Sequence, residues 1–334
     1  MIEECPGDGS GVGPACPICA TSGAGFYAAA TDRLFGIAAG SFQLRCCPSC
    51  GCIFQHPLPD SSALASFYPR QYWWSADPRS GFSATLGKIE RVYREFVGLD
   101  HVRFLQRCAR ASGRGRSLLD IGCGNGTFLH LARRRGFVPH GMDRSEHAVA
   151  AARAQYDLPV RQGDIGSDLW QGHSFDFITM FHVLEHLPAP GKALEYASGL
   201  LKPGGSLILQ VPNASSLQAR AFGARWYGLD VPRHLINFTP RSLGMLLDRA
   251  GLSWKIVRRF SLRDNPASLA SSVAMRLDPI GRRGRGKATN AIVEGVLEGI
   301  YFGLFLLAVP PALLESLLGC GATLWAHARK KGTN

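Results

Sequence analysis

The stretch LLDIGCGNGTFL, residues 118–129, joins an apolar strand-like run to the start of a helix through three glycines, Gly122, Gly124 and Gly126. Glycines at such a junction permit tight turning and close approach of the backbone to a ligand, and a helix start offers amide hydrogens without partners inside the helix. A dinucleotide fingerprint would place its third glycine at 127, where this chain has Thr127, so a nicotinamide reading loses ground.

Around this turn, strand-like runs at 117–121, 138–142, 159–162, 175–180 and 206–211 alternate with helical stretches, the pattern of a parallel sheet covered on both faces. A helix at 240–250 and another strand-like run at 254–260 follow. Asp120, Asp143 and Asp164 each fall at the carboxyl end of a successive run, where open α/β sheets bind ligands. Asp143 is placed to accept hydrogen bonds from both hydroxyls of a ribose, and Asp164 to contact an adenine amino group. Either acid alone would equally suit a turn or a helix cap. Three in register favour a ligand that carries a nucleoside.

Upstream the character changes. Residues 1–14, rich in Gly and Pro without periodicity, are expected to be disordered. Two knuckles, Cys16-Pro17-Ile18-Cys19 and Cys47-Pro48-Ser49-Cys50, bracket short strand-like runs in a module spanning 15–60. Each CxxC turn directs two thiolates at one centre, and two turns complete a tetrahedral site suited to Zn²⁺, closed and therefore structural. Cys46 and Cys52 flank the second knuckle, but only Cys47 has the spacing to Cys50. Four unrelated buried thiols are the competing reading, one that paired knuckles disfavour. Residues 61–115 read as a helical linker or lid, with an aromatic knot at Phe67, Tyr68, Tyr72, Trp73 and Trp74 that suits a packing seam or an overhang on the ligand site.

Taken with FDFITMFHVLEHL at 175–187 and LLKPGGSLILQVPN at 200–213, the glycine turn and its acids resemble a class I methyltransferase. The paired knuckles, FYPRQYW at 67–73 and DVPRHLINFTPRSL at 230–243 are similar to bacterial zinc-ribbon methyltransferases of the methyltransferase 23 type. The resemblance runs from Cys16 to Leu252. It implies a Rossmann-like α/β core at 116–262 with S-adenosylmethionine held by Asp120, Gly122, Cys123, Gly124, Gly126, Asp143, Arg144, Asp164, Ile165 and Phe181. It implies methyl transfer without naming the acceptor.

Such a reaction is an in-line displacement at the methyl of a sulfonium, so the protein mainly holds donor and acceptor at attack distance in a dry site. A hydroxyl acceptor also needs a base. His182, Glu185 and His186 follow the fourth strand-like run, and His234 lies beyond the fifth; a histidine of near-neutral pKa suits the acceptor's proton. The same run matches an inverted zinc-protease string, a reading set aside because the segment continues a buried strand and lacks a third ligand. Quinone O-methyltransferases carry a similar acidic-His run thought to hold a divalent metal, but here His182 stands where that pattern has an acid. Contacts that merely shape the cofactor pocket are the alternative role for these side chains.

The C-terminal part is uneven in hydropathy although the whole chain averages near zero. Ile300–Val309 and Ala312–Leu318 are strongly apolar and separated by Pro310-Pro311, which should break a single span, so a helical hairpin is expected within an insertion at 263–321. Residues 322–334 then supply the last antiparallel strand, paired with 254–260, and a basic tail. Basic clusters at Arg282, Arg283, Arg285 and Lys287 and at Arg329, Lys330 and Lys331 flank the hairpin, which suits either peripheral contact with a membrane or packing on the protein or a second copy.

A formal charge of +12 suits an anionic partner without choosing one. The ten cysteines include CxxC pairs and no basic-then-apolar signal segment precedes them, so reduced thiols in the cytoplasm, with peripheral contact at the inner membrane face, are expected. The expected activity is methyl transfer to a small-molecule, lipid-linked or saccharide acceptor. An RNA methyltransferase and a non-catalytic cofactor-binding scaffold are the alternatives, and nucleic acid is disfavoured because no basic patch interleaved with aromatics marks the ribbon.

Overall fold

The structure, a computed structural model, describes residues 5, 13–68, 82–113, 115–285 and 290–331. Expectations for the first residues, for Tyr72, Trp73 and Trp74, and for Lys287 lie outside the described residues.

Short strands cannot bury enough surface to stand alone, and the cysteine module gains its core by leaning on the rest of the chain. β1 (Gly25–Ala30), β2 (Phe42–Cys46) and β3 (Ile53–Gln55) form an antiparallel meander. Its fourth strand, β9 (Ile236–Asn237), arrives from nearly two hundred residues downstream and pairs antiparallel with β3. Cys16, Ile18, Cys47 and Phe54 lie in one continuous apolar cluster with Leu119, Met180, Leu194 and Leu243, so module and main domain share a core. Cys5 is disulfide-bonded to Cys46, the last residue of β2, where all-reduced thiols were expected; the other eight cysteines are free.

After α1 (Ser61–Ser66), which Asp60 caps by accepting the Ala63 amide at 2.8 Å, the long α2 (Phe82–Ser112) leads into the main sheet. Its parallel strands are β4 (Ser117–Ile121), β5 (Val138–Asp143), β6 (Val160–Gln162), β7 (Phe175–Phe181) and β8 (Leu201–Pro212). β10 (Leu252–Arg258) and β11 (Thr323–Lys330) complete it antiparallel, in the order β10-β11-β8-β7-β4-β5-β6. The expected pairing of the last strand with the 254–260 run is present, Trp254 facing Ala328. β7 reads FDFITMF with six of seven residues buried, as a central strand covered on both faces must. The covering helices include α3 (Thr127–Arg133), α4 (Glu146–Tyr156), α5 (Pro190–Leu200), α6 (Leu217–Phe222) and α7 (Pro240–Arg249). The order reverses between β4 and β7, which sets a crevice at their carboxyl ends.

The insertion before β11 holds α8 (Asp264–Val273), α9 (Pro279–Gly284) and α10 (Ala291–Leu317). An apolar segment thus precedes the last strand, but as one 27-residue helix and not as the expected hairpin. Pro310 and Pro311 each remove one backbone donor and crowd the carbonyl four residues before. Both are exposed, as are Leu306 and Leu307, so the distortion falls on a side of α10 with no protein against it.

Candidate active site

Gly122, Gly124 and Gly126 all have positive φ, at 78°, 53° and 78°. At Gly122 an added Cβ would lie 2.4 Å from Cγ2 of Val183, and at Gly126 it would lie 2.6 Å from Leu158. Nothing stands within 4 Å of the same position at Gly124, which opens toward the crevice. The loop is held from below: the amides of Gly122 and Cys123 donate to the Met142 carbonyl at 2.8 and 3.1 Å.

The three acids of the sequence pattern do not share one environment. Asp143 receives the Gly124 amide on one carboxylate oxygen and the Ser145 amide on the other, both at 2.9 Å, and burial raises its pKa. Asp120 is 4% exposed and accepts the Thr179 hydroxyl at 2.6 Å; burial, with Asp143 nearby, lifts it to about 7. It lies under the loop as a support. Asp164 stands in the open, paired with Arg144 3.7 Å away. Cys123 turns its thiol into the core, where burial pushes its pKa well up. Phe181 packs its ring on His101, Phe128 and Trp325, and Ile165 is half-buried in the main apolar cluster.

Past the end of β7, His182 takes φ +56°, an uncommon conformation for a side chain with Cβ and one that marks strain. Its Nδ1 lies 3.1 Å from Oε1 of Glu185 and its Nε2 3.2 Å from Oδ2 of Asp264. Burial alone would lower its pKa, but the two carboxylates raise it to about 9. The two carboxylates favour the protonated ring, in which both nitrogens donate, a state that runs against a proton acceptor at His182. The chain of contacts continues: Gln210 donates to Asp264 at 2.6 Å and meets His101 Nε2 through Oε1 at 2.6 Å.

His186 differs in state. Burial and the neighbouring His234, ring centroids 4.6 Å apart, lower it to about 4, so it is neutral. Its Nδ1 is 3.0 Å from the Tyr68 hydroxyl and 3.1 Å from the Arg233 carbonyl. His234 Nδ1 lies 2.7 Å from the Gly228 carbonyl, and its Nε2 is 4.0 Å from Oδ2 of Asp230. The Leu235 amide donates to the Glu185 carbonyl at 2.8 Å and locks the two loops together. Glu185, His186 and His234 offer ligand atoms within 4.8 Å of one another, and Oε2 of the fully buried Glu185 has no hydrogen-bond partner. The fold brings His182, Glu185 and His186, expected after the fourth strand, together with His234, expected beyond the fifth, and adds Asp264, Gln210, His101 and Tyr68, which sequence reading did not connect with them. A lone acid at the start of α8 carries no motif, and only folding brings it to His182.

At the opposite end of the module, Cys16, Cys19, Cys47 and Cys50 also place their sulfurs within 4.8 Å of one another. Cys16 and Cys50 are 3.6 Å apart and Cys19 and Cys47 3.4 Å, close to the about 3.8 Å edge of a tetrahedron built on ~2.3 Å Zn–S bonds. Contact with Cys50 and Cys52 draws the Cys16 thiol down to about 2, while the same contacts push Cys50 and Cys52 up. That is the competition a divalent cation resolves, and the four residues fit one. Cys52 approaches Cys16 to 3.4 Å as a fifth sulfur behind the set.

The glycine loop after β4, Asp143 at the end of β5 and the exposed Asp164 after β6 stand together at the carboxyl ends of the parallel strands. The methyltransferase domain family model matches residues 93–254. The ubiquinone biosynthesis O-methyltransferase of Xanthomonas axonopodis pv. citri is 30% identical over 212 residues, covering 59% of this chain and 80% of that protein. The protein of the same name from Coxiella burnetii (strain RSA 493 / Nine Mile phase I) is 29% identical, over 54% of this chain and 72% of its own length. Among solved structures, a SAM-dependent methyltransferase from Archaeoglobus fulgidus matches 72% of this chain and 99% of its own, at 19% identity and a TM-score of 0.43. The chain belongs to the class I S-adenosylmethionine-dependent methyltransferases. It is an enzyme of that class, and S-adenosylmethionine is its methyl donor.

Proposed function

We propose that the enzyme methylates a hydroxyl of a small-molecule acceptor, as the name ubiquinone biosynthesis O-methyltransferase indicates for its relatives, with His186 and His234 receiving the hydroxyl proton. The observation that carries this reading is the neutral His186 set against His234 and Tyr68 beyond the end of β7, next to a His182 whose two carboxylates favour its protonated ring. S-adenosylmethionine supplies an electrophilic methyl. The loop 122–126 and Asp143 bind and orient it, and a base near the crevice removes the proton that the acceptor oxygen must lose. His182, Glu185 and Asp264 fix the loop that presents His186.

The test uses S-adenosylmethionine with a labelled methyl, a membrane-lipid extract and simple catechols as acceptors. His186→Ala and His234→Ala should each lower kcat by about 10²-fold with little change in S-adenosylmethionine Kd. Unchanged turnover in both would sink the assignment. A second reading is favoured by the unpartnered Oε2 of Glu185: the carboxylate and two imidazoles suit a divalent cation that would polarise the acceptor oxygen. Loss of turnover on chelation, restored by added Mg²⁺ or Zn²⁺ without change in the ribbon's metal content, would select it.

We further infer that Cys16, Cys19, Cys47 and Cys50 hold a structural Zn²⁺. One zinc per chain in the purified protein, lost in Cys47→Ser, is the expected result; a metal-free yet equally stable protein would remove the site.

A further inference from the structure

Helix α10 is built inside out. Its only charged residues are Glu294, Glu298 and Glu315, and all three turn toward the protein. With Tyr301, Ala308 and Ala312 they recur at intervals of three, four and seven, which is one face of a helix. Glu294 pairs with Arg282 at 2.8 Å, and Glu298 lies 3.6 Å from Arg283. The Tyr301 hydroxyl meets Ser271 at 2.9 Å, and Glu315 accepts the Gln218 amide at 2.7 Å. Ala308 and Ala312 are buried in the same face, and α10 packs along α8. The opposite side carries Ile292, Phe302, Leu306, Leu307, Leu314 and Leu317, all exposed, with Leu307 at 75% and Leu317 at 84%.

A surface helix in water shows the reverse order, with its apolar stripe inward and charges outward. Seventeen large apolar side chains are exposed among the described residues, and eleven of them lie on α10 and the residue after it. Such a contiguous patch marks an interaction site. Ion pairs and hydrogen bonds along its length tie the helix flat to the protein, and its carboxyl end passes through Gly319–Gly321 straight into β11 of the main sheet. At about 1.5 Å per residue it is long enough to cross a bilayer, yet it cannot stand upright in one without leaving these partners. Arginines stand beside it: exposed Arg276 lies in a turn packed on α10, and exposed Arg220 is one turn from Leu217, whose amide donates to the Cys320 carbonyl. With a whole-chain charge of +12, the surroundings suit anionic headgroups.

We propose that the outer face of α10 is a membrane-docking surface that lies in the plane of an anionic lipid leaflet, its apolar side chains below the headgroups and Arg220 and Arg276 at their level. The surface is independent of the acceptor, though an acceptor dissolved in the same leaflet would reach an enzyme already held there. The full chain is floated with vesicles of phosphatidylcholine containing phosphatidylglycerol and with vesicles of phosphatidylcholine alone. Most of the protein should float with the anionic vesicles, and the double variant Leu307→Asp/Leu314→Asp should float at least 10-fold less while keeping its Tm and its S-adenosylmethionine Kd. Equal flotation of the two proteins, or none of either, overturns the proposal. A concentration-dependent dimer that the same double variant dissociates also overturns it in favour of a second copy on this face. Should the double variant fold poorly, Phe302→Trp supplies the reading: its emission should shift to the blue on adding anionic vesicles, and an unmoved spectrum counts against docking.

Discussion

Two buried charge clusters invite comparison. Around Arg233, fully buried, every strong group is answered: Asp32 at 2.8 Å, Asp230 at 2.7 Å, the Phe67 carbonyl at 3.2 Å and the Phe35 ring beneath the guanidinium. Burial would raise the Asp32 and Asp230 carboxyls, yet Arg233 holds both below the usual range. Around His182, only a loop away, the backbone is strained, one oxygen of Glu185 is left without a partner and His186, its pKa lowered to about 4, stands against His234. The first cluster ties the cysteine module to the main domain, through Asp32 on one side and Arg233 on the other. The second keeps free bonding capacity at the edge of the crevice. Burial of charge is common to both, so it does not mark the site; unfinished satisfaction and strain do.

The contrast can be broken most sharply at Arg233. Arg233→Ala leaves Asp32 and Asp230 buried without their cation, and should cost about 3–5 kcal/mol of stability, read as a lower urea midpoint. A variant as stable as the wild type would show that the clamp is not structural. Glu185→Gln should do the opposite, lowering turnover at least about 10-fold while the midpoint moves by less than in Arg233→Ala. Equal and large losses of stability in both would erase the distinction between the clusters.

The smallest effect is in pH dependence. His182 is raised to about 9 from an ordinary value near ~6.5. Its contribution is therefore fully present below that ordinary value and lost as pH rises through about 9. In Asp264→Asn one of the two carboxylates that raise it is gone, so the decline in stability should begin at lower pH. Superimposable stability profiles of the wild type and Asp264→Asn from pH 6 to 10 would show that His182 is not held charged by Asp264.

Local pattern was enough for the main sheet. Period, glycine placement and acids at strand ends fix β4 to β8, and the 240–249 helix carries its own start signal, Thr239 followed by Pro240 with Ser242 closing a capping box. It was not enough for β9, a two-residue strand that exists only because β3 offers it an edge. Pro310-Pro311 misled for a related reason. A proline pair breaks a helix when the freed carbonyls must find partners in a packed neighbour, and here the outer side of α10 has no such neighbour.

The sequence by itself determined the strands β4 to β8 with their helices, the glycine loop at 122–126, the cysteine knuckles and the donor, because each rests on contacts between residues near in the chain or on fixed strand-end positions. Only the tertiary structure decided the state of each functional side chain: His182 charged by Asp264 from 82 residues away, His186 neutral against His234, and the glutamates of α10 turned inward. Protonation and exposure depend on which distant groups share a low-dielectric space, and that is set by packing, not by any local run of residues.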